Sequence, residues 1–300
     1  MPSFRAQLQD RELSLAWSLW TELGVSGWER HHASVAIDLE PLIIFTALLG
    51  DADPRLRDEA LDWCTRFGQL VSASRLRNLL AHASPESQSM FGPFAATANA
   101  HTRLRWPHAT KARAYRPTGK SRLPDLRRPA LVQLRLRALL GVSARAEVVR
   151  LFLADPTMTA SAADLTPEAG YVKRSVADAL DSLRLAGVLE AVSVRNQVRY
   201  RLHSDAFVTS LGGLPVAFPR WQSVFRLLAE LVRYGDAVEG IVSPVAAAEA
   251  ASTARRILDD VRALRLDEPP QALGECLPPE FERWALQLAD RFATGQAWTT

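Results

Sequence analysis

Cationic side chains, more than nucleophiles or metal ligands, are the residues of this chain whose types and spacing point to chemistry. Between Leu189 and Leu202, Val192, Val194, Val198, Tyr200 and Leu202 alternate with Ser193, Arg195, Gln197, Arg199 and Arg201, and Asn196 supplies a turn residue at the tip. Alternation with period two predicts a hairpin with one apolar and one polar face, so the arginines are expected on one exposed ribbon. A guanidinium fork matches phosphate oxygens, and each phosphate it neutralises releases counterions, a gain that weakens with salt. Immediately upstream, Val176, Ala179, Leu180, Leu183 and Ala186 recur at steps of three and four. That spacing predicts an amphipathic helix over 172–186, closed by Gly187. Lys173, Arg174 and Ser175 stand at its start, on a polar face shared with Asp178, Asp181, Ser182 and Arg184.

These residues need a frame, and the sequence supplies one. A helical run from Arg145 to Ala154 leads into a short helix and a glycine turn at Gly170, so that Ser143 to Leu202 reads as three helices followed by a hairpin. The segment Asp164-Leu165-Thr166-Pro167-Glu168-Ala169-Gly170-Tyr171, then Lys173 to Leu180, then Leu183-Arg184-Leu185-Ala186-Gly187-Val188-Leu189, resembles the bacterial winged helix-turn-helix regulators of the ArsR and MarR type. The resemblance covers about a fifth of the chain. It implies binding to double-stranded DNA, usually as a homodimer on a palindrome and usually for repression. On this reading Lys173, Arg174, Ser175 and Arg184 belong to the recognition helix, and Arg195, Asn196, Gln197, Arg199 and Arg201 to the wing, holding the backbone. Two positions depart from the pattern. Pro167 lies where the second helix should continue, which predicts a short or kinked helix. Val172 stands where Ser or Thr usually caps the recognition helix. The metal-sensing cysteine pair of the ArsR type is not present.

The remaining composition sets the scale. With 300 residues, 48% hydrophobic and 23% charged, the chain can bury two or three cores. A mainly α fold is expected: an N-terminal helical domain at 1–98, a basic Pro-containing arm at 99–129, the winged helix domain at 130–210, and a C-terminal helical region at 211–300 that packs on the N-terminal helices or dimerises the chain. The net charge is +3, but residues 101–137 hold eleven cations against Asp125 alone, so this segment carries +10 and the rest −7. Such a lopsided distribution is an electrostatic footprint for nucleic acid. Pro107, Pro117, Pro124 and Pro129 keep most of the segment from being helical. It reads as an arm whose Arg113, Arg116, Lys120 and Arg122 track phosphates, or as a flexible, solvated connection.

Elsewhere the candidates are weaker. Asp53-Pro54 predicts a helix start ahead of the stripe Leu56, Ala60, Trp63, Cys64 and Phe67, and Ser72 a cap for Leu76, Leu79 and Leu80. Trp17, Trp20, Trp28 and Trp63 read as core or dimer contact before ligand pocket. Trp221, Phe225, Leu228 and Val232, the Ala-rich run after Ser243-Pro244, and Phe281, Trp284, Ala285, Leu288 and Phe292 mark three C-terminal helices. Thr118-Gly119-Lys120-Ser121 imitates the tail of a phosphate-binding loop, but Ala114 stands where the first glycine is required. His31, His32, His82, His101, His108 and His203 form no metal or triad set and read as surface residues. Cys64 and Cys276 read as buried thiols in a reducing compartment. The longest apolar run, Leu42 to Leu49, is too short to cross a bilayer. The expectation is a cytoplasmic DNA-binding regulator that is not an enzyme and uses no metal or cofactor, with a small-molecule or protein effector left open. The alternative is an antitoxin-like or other protein-interaction regulator that binds a protein partner through the same unit.

Overall fold

Apolar stripes at helical spacing, set between capping residues, dominate the chain, and helices dominate the fold. The computed structural model describes residues 2–27, 30–194, 197–241, 243–272 and 274–298. Trp28, Arg195 and Asn196 therefore lie outside the described residues. Five helices come first: α1 (Phe4–Glu22), α2 (Leu39–Leu49), α3 (Pro54–Phe67), α4 (Ala73–Leu80) and α5 (Pro85–Ala100). Ser3, Asp53, Ser72 and Ser84 accept hydrogen bonds from first-turn N–H groups of α1, α3, α4 and α5. After an extended stretch come α6 (Val132–Leu140), α7 (Ala144–Ala154), α8 (Ala162–Ala169) and α9 (Lys173–Leu185), then β1 (Leu189–Val194) and β2 (Gln197–Leu202). The chain ends with α10 (Asp205–Ser210), α11 (Trp221–Val238), α12 (Ser243–Ala263) and α13 (Leu277–Ala293).

Among the described residues the one sheet is the antiparallel pair β1–β2, in register from Leu189 opposite Leu202 to Val194 opposite Gln197. Ala160, between α7 and α8, exchanges two backbone hydrogen bonds with Tyr200 and so ties that connection to β2. The architecture is mainly α with this small sheet attached.

Two cores organise the helices. In the first, Trp20, Phe45, Trp63 and Phe91 from the N-terminal helices meet Trp221, Phe225, Tyr234, Phe281 and Phe292 from α11 and α13. The C-terminal helices thus pack on the N-terminal ones within one chain, with α13 along α1 and α11 against α1 and α2. Each fully buried large apolar side chain here stabilises the fold by about 1.5–3 kcal/mol relative to exposure. The second core gathers Val148 and Phe152 of α7, Leu165 of α8, Val176, Leu180 and Leu183 of α9, and Leu189 of β1. Helix α6 faces both: Leu134 enters the first core, Val132 and Leu136 the second.

Two side chains depart from the sequence reading. Cys276 is exposed while Cys64 is buried, because Cys276 precedes α13 in a short 3-10 turn whose residues are not buried. His32 is no surface residue: it is fully buried, its Nδ1 2.8 Å from Ser18 Oγ and its Nε2 2.9 Å from the Phe292 carbonyl. A carbonyl only accepts, so Nε2 carries the proton and Nδ1 accepts from the hydroxyl. Burial lowers the His32 pKa to about 4, keeping the ring neutral.

The basic stretch is extended, as its prolines predict, and largely exposed, but it is fastened to the helices beneath it. Trp106 stacks with Phe91 and Phe94, Thr110 donates its N–H to Gly92, and Arg122 donates to the carbonyl of Gly24. The N–H groups of Thr118, Gly119 and Ser121 close round the Asp62 carboxylate at 2.8, 2.6 and 2.9 Å. The stretch that imitates a phosphate loop therefore does cradle an anion, but one supplied by α3. Burial alone would raise the Asp62 carboxyl; the converging N–H donors outweigh it and hold the pKa below the usual value.

Candidate nucleic-acid interface

Helix α9 is built to present its first turn. Val176, Ala179, Leu180 and Leu183 bury one face, and Gly187, with φ +72°, turns the chain into β1. Lys173 and Arg174 are exposed and have no ion-pair partner among the described residues. Val172 gives no side-chain cap and the first turn has no acid, so the open N–H groups and the helix dipole add to the cationic field there. Ser175 is half-buried beside them, and Arg184, in the last turn, lies 3.8 Å from Asp181.

Two grooves flank α9. One, of about 340 Å³, runs toward the hairpin and brings Lys173 together with Gln197 and Tyr200. The other, of about 670 Å³, separates α9 from α4 and the start of α7, and is lined by Arg77, Asn78, Arg145 and Ser175. Arg77 and Arg145 are cations that the sequence reading passed over, since nothing local to 77 or 145 shows that they border α9.

The wing arginines are less free than the alternation implies. Arg199 donates to the Thr159 carbonyl from Nε and Nη2 at 3.1 and 2.9 Å and pairs with Asp164 at 2.9 Å. Arg201 pairs with Glu190 at 2.5 Å but stays 54% exposed. Of the arm residues, Arg113 pairs with Asp51, while Arg116, Lys120 and Arg122 are exposed and form no ion pair among the described residues. The arm fastens to α3, α5 and the end of α1; its bonds among the described residues do not reach α9 or the hairpin.

Helix α9 packs on α7 and α8, and α4 ties down the turn that precedes it. The C-terminal carbonyls of α8 would otherwise lack partners, and α4 supplies them: Arg75 Nε donates to Ala169 O at 2.9 Å and Asn78 Nδ2 to Gly170 O at 3.0 Å. Tyr171 adds a hydroxyl bond to Ser72 at 2.7 Å. Gly170 sits at φ +68°, and a Cβ there would press into the Arg75 side chain, so the turn requires glycine twice over. Helix α8 is only eight residues long with Pro167 inside it, and Ser161 and Asp164 form a reciprocal cap at its start.

The other end of Arg75 enters a buried cluster of three guanidiniums and three carboxylates. Arg75 meets Asp38 and Glu40; Arg137 meets Glu40 at 2.7 Å and Glu147 at 2.6 Å; Arg150 meets Glu147 at 2.8 Å. Gln133 bridges Asp38 and Glu147 and accepts the N–H of Leu39. Burial would raise the Glu147 carboxyl, but Arg75, Arg137 and Arg150 hold it far below the usual range, and Arg75 and Arg150 hold Asp38 below its usual value against the same burial. Arg137, counted in the basic segment, is thus fully buried and neutralised and adds nothing to an external field.

Among the described residues no group of His, Cys, Asp and Glu is arranged to hold a metal ion, and no helix is long and apolar enough to cross a membrane. Comparison with protein-family models, curated proteins and solved structures found no match to the chain.

Proposed function

We propose that this protein is a cytoplasmic, sequence-specific regulator of transcription that binds double-stranded DNA through a winged helix-turn-helix, α7 to β2, as a dimeric repressor. The observation that carries the reading is the first turn of α9: Lys173 and Arg174 stand exposed, with no ion-pair partner among the described residues, at a helix start without a side-chain cap and between two open grooves. A bound phosphate would meet two cations and free N–H donors there, and base edges would meet the side chains that project beyond them. Arg77 and Arg145 extend the cationic border along the groove beside α4; Arg116, Lys120 and Arg122 offer further phosphate contacts.

Selection of duplexes from a random pool, followed by fluorescence anisotropy on a selected site, tests the reading. Lys173→Ala with Arg174→Ala is expected to abolish the preference for the selected duplex over a scrambled one; unchanged preference removes the assignment. Light scattering on the complex is expected to report two chains. A second reading, docking of a protein partner, draws on Val172, Leu185 and Val198, which are apolar and 58%, 77% and 55% exposed in the same unit. Failure of the pool to yield any preferred duplex favours that partner.

A further inference from the structure

We propose that the outward side of the extended stretch 103–122 is a preformed track for nucleic-acid backbone, one that takes any base sequence and works independently of α9. An extended chain turns successive side chains to opposite sides, and in this stretch the inward ones are pinned. Leu104 sits on Gly68 of the α3 end, and Trp106, buried against Phe91 and Phe94, exchanges hydrogen bonds of 2.9 and 3.1 Å with Asn99 of α5. Arg103 and Arg105, on either side of Leu104, are exposed. The pattern returns at Ser121, which is fully buried with its N–H on Asp62, while its neighbours Lys120 and Arg122 are exposed. Between these two points the N–H of Arg113 is held by Thr97 Oγ1 at 3.0 Å, and Lys111 and Arg116 are exposed.

The charges along the track are not balanced from within. Asp51 is paired with Arg113, and Asp62 is enclosed by three backbone N–H groups. Glu59 feels the charge of Lys120, so Lys120 is set against it. Arg103, Arg105, Lys111, Arg116 and Arg122 remain, exposed and without an ion-pair partner among the described residues. All but Lys111 are arginines, whose fork matches phosphate oxygens.

The occupant follows from what the track lacks as well. Among the described residues no large apolar side chain is exposed between 103 and 122. A protein partner would meet an apolar centre in its interface, whereas a nucleic-acid backbone asks for charge alone. The chain is also fastened before anything binds, so binding does not have to order it. Such a track raises the affinity for every duplex and leaves the choice among them to α9. That use rests on the DNA-binding reading; the track itself does not.

The test is fluorescence anisotropy of a scrambled duplex with the full chain, between about 50 and 200 mM salt. Arg103→Gln, Lys111→Gln, Arg116→Gln and Arg122→Gln are combined in one variant, since none of these side chains has a hydrogen bond or ion pair among the described residues. It is expected to bind at least about tenfold more weakly at the low-salt end and to lower the salt slope by at least about 2. Arg255→Glu with Arg283→Glu makes the same change of net charge at exposed positions of α12 and α13 and is expected to cost less than about threefold. Undiminished binding by the first variant overturns the track, and an equal loss in the second overturns its location. Binding of the parent chain to polyglutamate or to phosphatidylserine vesicles as tight as to the duplex overturns the choice of nucleic acid. The loss is expected to keep its size when Lys173→Ala and Arg174→Ala are added; a loss that disappears there overturns independence from α9. If the track variant weakens the scrambled duplex while no duplex is ever selected, the regulator reading fails and the track stands; if a duplex is selected and the variant binds undiminished, the track fails and the regulator reading stands.

Discussion

The six buried charges that join α2, α4, α6 and α7 and the two exposed cations at the start of α9 meet opposite fates. In the cluster of Asp38, Glu40, Glu147, Arg75, Arg137 and Arg150, every charge has an opposite partner inside the protein. At Lys173 and Arg174 none is present among the described residues. Pairing, more than residue type, separates the two roles. A buried pair gives little net stability over an apolar replacement, yet losing one member strands the other. An exposed unpaired cation costs little and remains free to meet an external anion. The first set is a frame behind α9, the second the working surface we propose for it.

Breaking the frame is the largest expected effect. Arg137→Met removes the guanidinium that joins Glu40 to Glu147, and unfolding in urea is expected to show a loss of about 3–5 kcal/mol. A loss below about 1 kcal/mol would mean that the cluster does not fix the helices it joins.

Acid probes the same contrast. Within the cluster Asp38 and Glu147 are held below the usual carboxylate values, and a buried group outside it, His32, gives an acid response at milder pH. Unfolded, a histidine takes up a proton near 6.5; folded, His32 resists until about 4. Its contribution is intact above 6.5 and falls by about 1.4 kcal/mol per unit as the pH drops to about 4, about 3 kcal/mol in all. Glu12 acts in the opposite direction. Burial raises its pKa to about 8 against the opposing charge of Arg5, so its contribution is full below 4.5 and is lost as the pH rises through 8. His32→Gln is expected to flatten the acid limb of stability between pH 6.5 and 4; a limb parallel to that of the parent chain would sink the assignment.

At the working surface the effects are on binding alone. Lys173→Ala with Arg174→Ala is expected to leave the urea midpoint within about 0.5 kcal/mol while costing about 1–3 kcal/mol of discrimination for each base pair no longer read. A comparable loss of stability would place these two residues with the frame.

What the sequence makes legible follows from range. The stripe of α9, the glycines at 170 and 187, the caps at Asp53 and Ser72 and the three C-terminal helices are written in residues a few positions apart. The cluster is not: its members sit at 38, 40, 75, 137, 147 and 150, and each looks locally like a solvated charge. The signal that was available is the pair Gln133 and Arg137, one turn apart on α6, matched by Glu147 and Arg150 one turn apart on α7. Nor could local reading bury His32, whose second partner, Phe292, is 260 residues away.

Arg199 is where the two regions are hardest to tell apart, and its removal has the smallest expected effect. Period-two alternation puts it on the open ribbon with Arg201, which predicts a phosphate contact and a salt-dependence slope lower by about 0.9 on its loss. The fold instead carries residues 159–164 across β2, where Ala160 pairs with Tyr200 and Thr159 and Asp164 engage the guanidinium. Arg199→Ala is therefore expected to cost about 1 kcal/mol of stability and to leave the salt slope of duplex binding unchanged, whereas Lys173→Ala lowers that slope by about one. Should Arg199→Ala lower the slope and spare the stability, the side chain leaves Asp164 for the duplex, and pairing within the free protein no longer separates frame from working surface in the hairpin.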